Sequence, residues 1–166
     1  LKDSIHYSND ERQRCLNLID RIGTEEAIPD ILSYIEGDGD IFIKKYALDM
    51  LSGFPNSVLE EYNVREQLVK ILLDLTSEDS IIIYEGMINI IGNEKILDKD
   101  IERIEKVKAL HLICGVQEES LYIGETEILW YFKGCKKVTL SGNMQNVRFL
   151  KQFAYITNLT IKSDSD

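Results

Sequence analysis

The sequence predicts a mixed α and β protein: an α-helical solenoid over residues 1–105, then a short solenoid of parallel β-strands over residues 106–166. Three observations lead there. A helical pattern that begins at Ile43 begins again at Ile82. Two short strand-like runs, VTLSGN from Val138 and NLTIKS from Asn158, follow one another near the end. The charge changes between the parts: residues 1–105 carry 23 acidic and 11 basic side chains, and residues 106–166 carry 6 and 8. Self-similarity at a fixed period of roughly 20–50 residues is the signature of stacked repeats.

The helical elements come in pairs. IKKYALDMLSG (Ile43 to Gly53) aligns with IIYEGMINIIG (Ile82 to Gly92), which places Ala47 on Gly86, Leu48 on Met87, Leu51 on Ile90 and Gly53 on Gly92. Apolar residues at i, i+4 and i+8 define one face of an amphipathic helix. The small residue lets a neighbouring helix approach closely, and the glycine ends the helix. AIPDILSYIE (Ala27 to Glu36) precedes the first copy across the turn GDGD, and VREQLVKILLDL (Val64 to Leu75) precedes the second across TSEDS. ERQRCLNLIDRIG (Glu11 to Gly23) reads as an earlier copy with Cys15 at the small position. LDKDIERIEKV (Leu97 to Val107) closes this part as a short helix.

Paired helices at a period of roughly 40 residues resemble HEAT repeats. The segment DxxIKKYAL from Asp40 is similar to the start of a HEAT second helix, with its Asp, basic residue and small Ala. The second copy departs from that pattern at Glu85 and Gly86. The resemblance covers roughly residues 8–95 and implies antiparallel helix pairs stacked side by side.

The tail follows L-x-x-L-x-L-x-x-N at Cys135, Val138, Leu140 and Asn143. Val147, Leu150, Phe153 and Ile156 mark a returning arc, and Ile156, Leu159 and Ile161 begin the next copy. This resembles a leucine-rich repeat: alternate strand residues point inward, and the Asn side chain satisfies backbone groups where the chain turns away. Two earlier strands are expected, KALHLICG with Leu110 and Leu112 inward, and SLYIG with Leu121 and Ile123 inward. In the cluster Trp130, Tyr131, Phe132, Phe132 suits the core, and Trp130 or Tyr131 could be exposed anchors.

The composition, 44% hydrophobic and 29% charged, is that of an ordinary soluble chain. No apolar run approaches a membrane span, and no signal peptide is visible, so a cytoplasmic location is expected. The start at Leu1 rather than Met fits a trimmed chain. Cys15, Cys114 and Cys135 form neither a disulfide framework nor a zinc motif, and read as small apolar residues. A net charge of −10 argues against nucleic acid or an anionic membrane as partner, and permits a basic protein.

Catalytic residues are not expected. Of the two histidines, His6 is near the N-terminus and His111 occupies an outward strand position; strand geometry places Cys114 opposite His111. HExxH, GxSxG and the Walker lysine loop are missing. EGDGD (Glu36 to Asp40) lacks the ligand spacing of a calcium loop and reads as a helix junction, with Gly37 ending one helix and Asp40 capping the next. No metal, cofactor or small-molecule substrate is expected.

Protein binding is therefore the expected activity. The exposed helix sides offer Asn17, Tyr46, Asp49, Tyr84, Glu85 and Asn89, and the strand face offers His111, Tyr122, Thr139, Ser141, Thr160 and Lys162. Small size, acidity and interaction repeats make the chain similar in kind to bacterial immunity proteins, and leucine-rich repeats resemble those of the ribonuclease-inhibitor family. That likeness implies an inhibitor masking a basic toxin such as a nuclease. An adaptor in a larger complex is the alternative, distinguished by holding two partners. A lyase-like helical-repeat enzyme is a third class and would require a pocket of converging titratable groups.

Overall fold

A computed structural model describes residues 8–37, 40–77, 79–92, 96–114, 127–142, 150–151 and 153–162. Among them run eight α-helices and four parallel strands. The chain divides into two compact units, residues 1–64 and 65–166. The change of charge at residue 105 lies inside the second.

In the first unit, α1 (Asn9–Ile22) opens with a capping box. The Glu11 amide donates to Ser8 Oγ at 3.3 Å, and the Ser8 amide donates to Glu11 Oε2 at 2.8 Å. These bonds satisfy two donors that a helix start leaves open. Gly23 ends α1 at φ 62°, where a side chain would strain the backbone. A 3-10 turn (Glu25–Ala27) leads into α2 (Ile28–Glu36), which buries Ile28, Ile31, Leu32 and Ile35 along one stripe. Asp40 caps α3 (Ile41–Ser52) by accepting from the Phe42 amide at 2.9 Å, as its position in EGDGD suggested. Helix α3 packs on α1 and α2 and buries Ala47 completely, so the small residue sits at a close approach. Gly53 terminates α3 in the right-handed region, at φ −75°. A short α4 (Asn56–Glu61), unforeseen in the sequence, follows Pro55.

The second unit contains the main departure from the sequence reading. IIYEGMINIIG was expected to be one helix. Instead Ser80–Tyr84 forms strand β1, and the chain turns directly into α6 (Glu85–Ile91). Three consecutive isoleucines explain this: β-branched chains pack well on a pleated surface, and a paired strand buries alternate ones. Ile81 and Ile83 are buried, while Ile82 stands exposed on the opposite face. The helices α5 (Val64–Asp74) and α7 (Asp98–Glu105) agree with the periodicity. Gly92 ends α6 at φ 56°.

Strands β2 (Ala109–Ile113), β3 (Lys137–Ser141) and β4 (Asn158–Lys162) complete the sheet, with α8 (Glu127–Trp130) between β2 and β3. All pairs are parallel, and the order follows the sequence, β1-β2-β3-β4. The register aligns Ile81, Leu110, Val138 and Leu159 in one row and Ile83, Leu112, Leu140 and Ile161 in another. The step along the chain from one strand to the next is nearly the same for the first two pairs and shorter for the third. One device recurs at the strand starts, where a single carbonyl accepts two amides. Asp79 O takes Lys108 and Ala109, Lys108 O takes Lys136 and Lys137, and Lys136 O takes Thr157 and Asn158. β2 pairs directly with β3. The expected strand SLYIG lies outside the described residues, as do Asn143 and Val147.

The two apolar rows are buried on β1, β2 and β3, whereas Leu159 and Ile161 on the edge strand β4 are 46% and 60% exposed. Phe132 is fully buried, as expected of a core residue, and Trp130 is exposed.

Candidate functional site

The acidic surface of the first unit starts from where burial puts its charges. All eleven described acids of this unit, from Asp10 to Glu61, are exposed. Its cations are not equally displayed. Lys44 is buried, and its ammonium donates to the carbonyls of Ile35 and Gly37, where α2 ends. That end carries the negative pole of the helix and suits a cation. Lys45 and Arg12 are half-buried, which leaves Arg14 and Arg21 as the exposed cations among the described residues of this unit. The surface is therefore more acidic than the composition suggests.

Within it, the packing of α1 on α3 brings one expected residue, Tyr46, beside Asp20, with two others, Asn17 and Asp49, one turn away along their helices. Tyr46 Oη donates to Asp20 Oδ2 at 3.2 Å. Asn17 lies one turn before Asp20 on α1, and Asp49 lies one turn after Tyr46 on α3. Partial desolvation raises the Tyr46 pKa, and the Asp20 charge and hydrogen bond push it the same way. Desolvation also raises the Asp49 pKa, opposed by Lys45. Asp20 was not singled out in the sequence, because only the crossing of α1 and α3 places it beside Tyr46.

The remaining helical candidates fare differently. Tyr84 and Glu85 were expected on an exposed helix side, but both are buried, at 5% exposure each. The strand-to-helix turn at residues 84–85 carries them inward. Asn89 is half-buried on α6, and its Nδ2 has no hydrogen-bond partner among the described residues.

On the sheet, the face opposite the apolar rows holds Ile82, His111, Thr139 and Thr160 in one register row. The next row is Tyr84, Ile113, Ser141 and Lys162. His111 Nε2 lies 2.8 Å from Ser141 Oγ across the two strands. Burial lowers the His111 pKa, and Lys162 lowers it further, so the ring is neutral at neutral pH. His111 was expected to point outward, and it does so half-buried and partnered. Tyr122 and His6 lie outside the described residues. Ile82, an exposed apolar residue in this row, was missed because its segment read as helix.

None of the three cysteines is in a disulfide. Cys114 and Cys135 are buried, and Cys15 is half-buried. Cys135 Sγ donates to Val107 O at 3.3 Å, and burial pushes its pKa up to about 11, which keeps it a thiol rather than a nucleophilic thiolate. Among the described residues no group of three or more His, Cys, Asp or Glu side chains could hold a metal ion. No helix among them is long and apolar enough to cross a membrane.

No protein family, curated protein or solved structure matches this chain.

Proposed function

We propose that the chain is a non-enzymatic repeat protein that binds and masks a basic protein, a toxin such as a nuclease being the case we favour. The observation that carries this reading is the exposure of every described acid in the first unit while Lys44 is buried. Such a surface attracts a basic partner and orients it before contact. The patch Asn17, Asp20, Tyr46 and Asp49 supplies the mixture of amide, phenol and carboxylate that suits a protein interface. Masking follows from charge: carboxylates occupy the positions on a nuclease that phosphates would take.

We read the architecture behind this surface as two stacked-repeat segments, HEAT-like helices followed by leucine-rich-like strands. Parallel strands in sequence order, recurring every 20–30 residues or so, support the second segment, as does the repeated two-amide carbonyl. The β1 strand limits the first, because its second helical copy is shorter than the alignment implied.

The test is affinity capture from the native source at low and high salt, followed by kinetics with the captured partner. A single basic partner whose activity disappears on binding supports masking. The variant Asp20→Lys with Asp49→Lys should slow association by about tenfold at low salt and flatten its salt dependence. Unchanged association at low salt would remove this patch from the interface. Glu85→Lys is unsuitable here, since Glu85 is buried and its replacement would disturb the interior.

A further inference from the structure

The second unit holds a groove of opposite character. It runs along the starts of the strands beside α7, with a volume of about 1070 Å³. Lys99, Arg103, Lys106, Lys108 and Lys136 line it, against three acids, Asp79, Glu102 and Glu105. A net positive lining is unusual in a chain of net charge −10.

Asp79 pairs with Lys108 at 3.8 Å, both side chains remaining exposed, while Glu105 pairs at 3.5 Å with Lys133, which lies outside the lining. Arg103 donates to Thr76 O at 2.8 Å and keeps its charge. Lys99, Lys106 and Lys136 form no ion pair among the described residues. The strand-start ladder fixes two of the cations: Lys136 N donates to Lys108 O at 2.9 Å, so their side chains leave adjacent strands, spaced roughly 4.8 Å apart. Gly134 contributes no side chain to the lining, and a Cβ there would meet Glu105 O at 3.3 Å.

We infer that this groove docks an acidic peptide segment in extended form. Charge complementarity selects the sign of the occupant, and the mixture of charges selects its class. A nucleic acid would bring phosphates against Asp79, Glu102 and Glu105. A peptide can place carboxylates on the lysines and its own amide N–H groups on Glu102. The residue spacing of an extended peptide, about 3.3 Å, brings a carboxylate to the same side every second residue, within reach of flexible ammonium groups on neighbouring strands. This groove belongs to the second unit alone, and its charge is opposite to that of the acidic patch in the first.

The test uses the whole chain and a fluorescein-labelled peptide of alternating Glu and Ser, followed by anisotropy at low and high salt. A matched peptide of Gln and Ser and a single-stranded oligonucleotide serve as further probes. Saturable binding of the Glu peptide, at least about tenfold tighter than the Gln peptide and weakened by salt, is expected. Lys106→Glu with Lys136→Glu should lower affinity by at least about tenfold. Lys70→Glu, at an exposed position of α5 that does not line the groove, should leave it unchanged. Amide shifts of Lys106, Lys108 and Lys136 in a titration of the unaltered chain give the same answer without substitution. No binding of the Glu peptide, equal binding by the double variant, or tighter binding of the oligonucleotide would each overturn the inference. Asp20→Lys with Asp49→Lys should leave peptide binding intact, which separates this result from the fate of the acidic patch.

Discussion

Replacing Lys44 by Met tests how the corner between α2 and α3 is held. The ammonium is buried and donates to two carbonyls, one of them Gly37 O at 2.6 Å. Each charge-assisted hydrogen bond contributes about 1.5–3 kcal/mol, so the pair amounts to about 3–6 kcal/mol. Met fills similar space and removes the desolvation penalty of the charge, several kcal/mol in its favour. It also strands the Ile35 carbonyl, whose bond is buried, at about 1–3 kcal/mol. The Gly37 carbonyl is only partly buried and can find water. The expected net effect is a destabilisation of about 1–3 kcal/mol. Urea unfolding followed by circular dichroism measures it, with Lys70→Met as the surface control. Lys70 pairs with Glu66 at 3.0 Å at exposed positions of α5, and such pairs contribute about 0.3–0.5 kcal/mol. A Lys44→Met chain as stable as the parent, with an unchanged denaturant slope, would refute the reasoning: the desolvation of the ammonium would then outweigh its bonds. Because Lys44 is withdrawn from the surface, the substitution should also leave partner association rates nearly unchanged, unlike charge reversal at Asp49.

Three further outcomes are expected. Leu140→Ala, at a fully buried site on β3, should cost about 2–5 kcal/mol, whereas Ile161→Ala on exposed β4 should cost well under half as much; equal losses in urea unfolding would mean that Ile161 is covered in solution. Gly92→Ala should destabilise by about 1–3 kcal/mol from backbone strain at φ 56°, since the added Cβ would meet Asn89 O only at an ordinary 3.9 Å; a neutral result in the same assay would show that the turn relaxes. His111 has a folded pKa below its ordinary 6.5, so the unfolded chain binds the proton more readily. Its contribution to stability is present above pH 6.5 and is lost as pH falls through the folded value. His111→Gln should flatten the pH dependence of the unfolding midpoint in that acid window, and an unaltered profile would assign the dependence to other groups.

The helices were legible because their signals are local. Asp40 before IFIKK, and Gly23 and Gly92 at helix ends, act within a few residues, and the periodicity of AIPDILSYIE needs no partner to be recognised. The strands β3 and β4 were legible for the same reason, as short alternating runs. Segment 80–84 was not, because three isoleucines in a row satisfy a helix face and a strand equally well until a neighbour supplies hydrogen bonds. Among the surface candidates, Tyr46 meets Asp20 because α1 packs on α3, a contact that no local pattern announces.

By itself the sequence determined the helix ends at Gly23, Asp40 and Gly92, the inward rows of β2 and β3, and the acidity of the first part, all properties of residues near one another in the chain. Tertiary structure decided that β1 heads a parallel sheet, that Lys44 and Glu85 leave the surface, and that five cations line one groove. Each of these depends on pairing or burial between residues distant in sequence, and the solvation of a charged side chain is set by its neighbours rather than by its type.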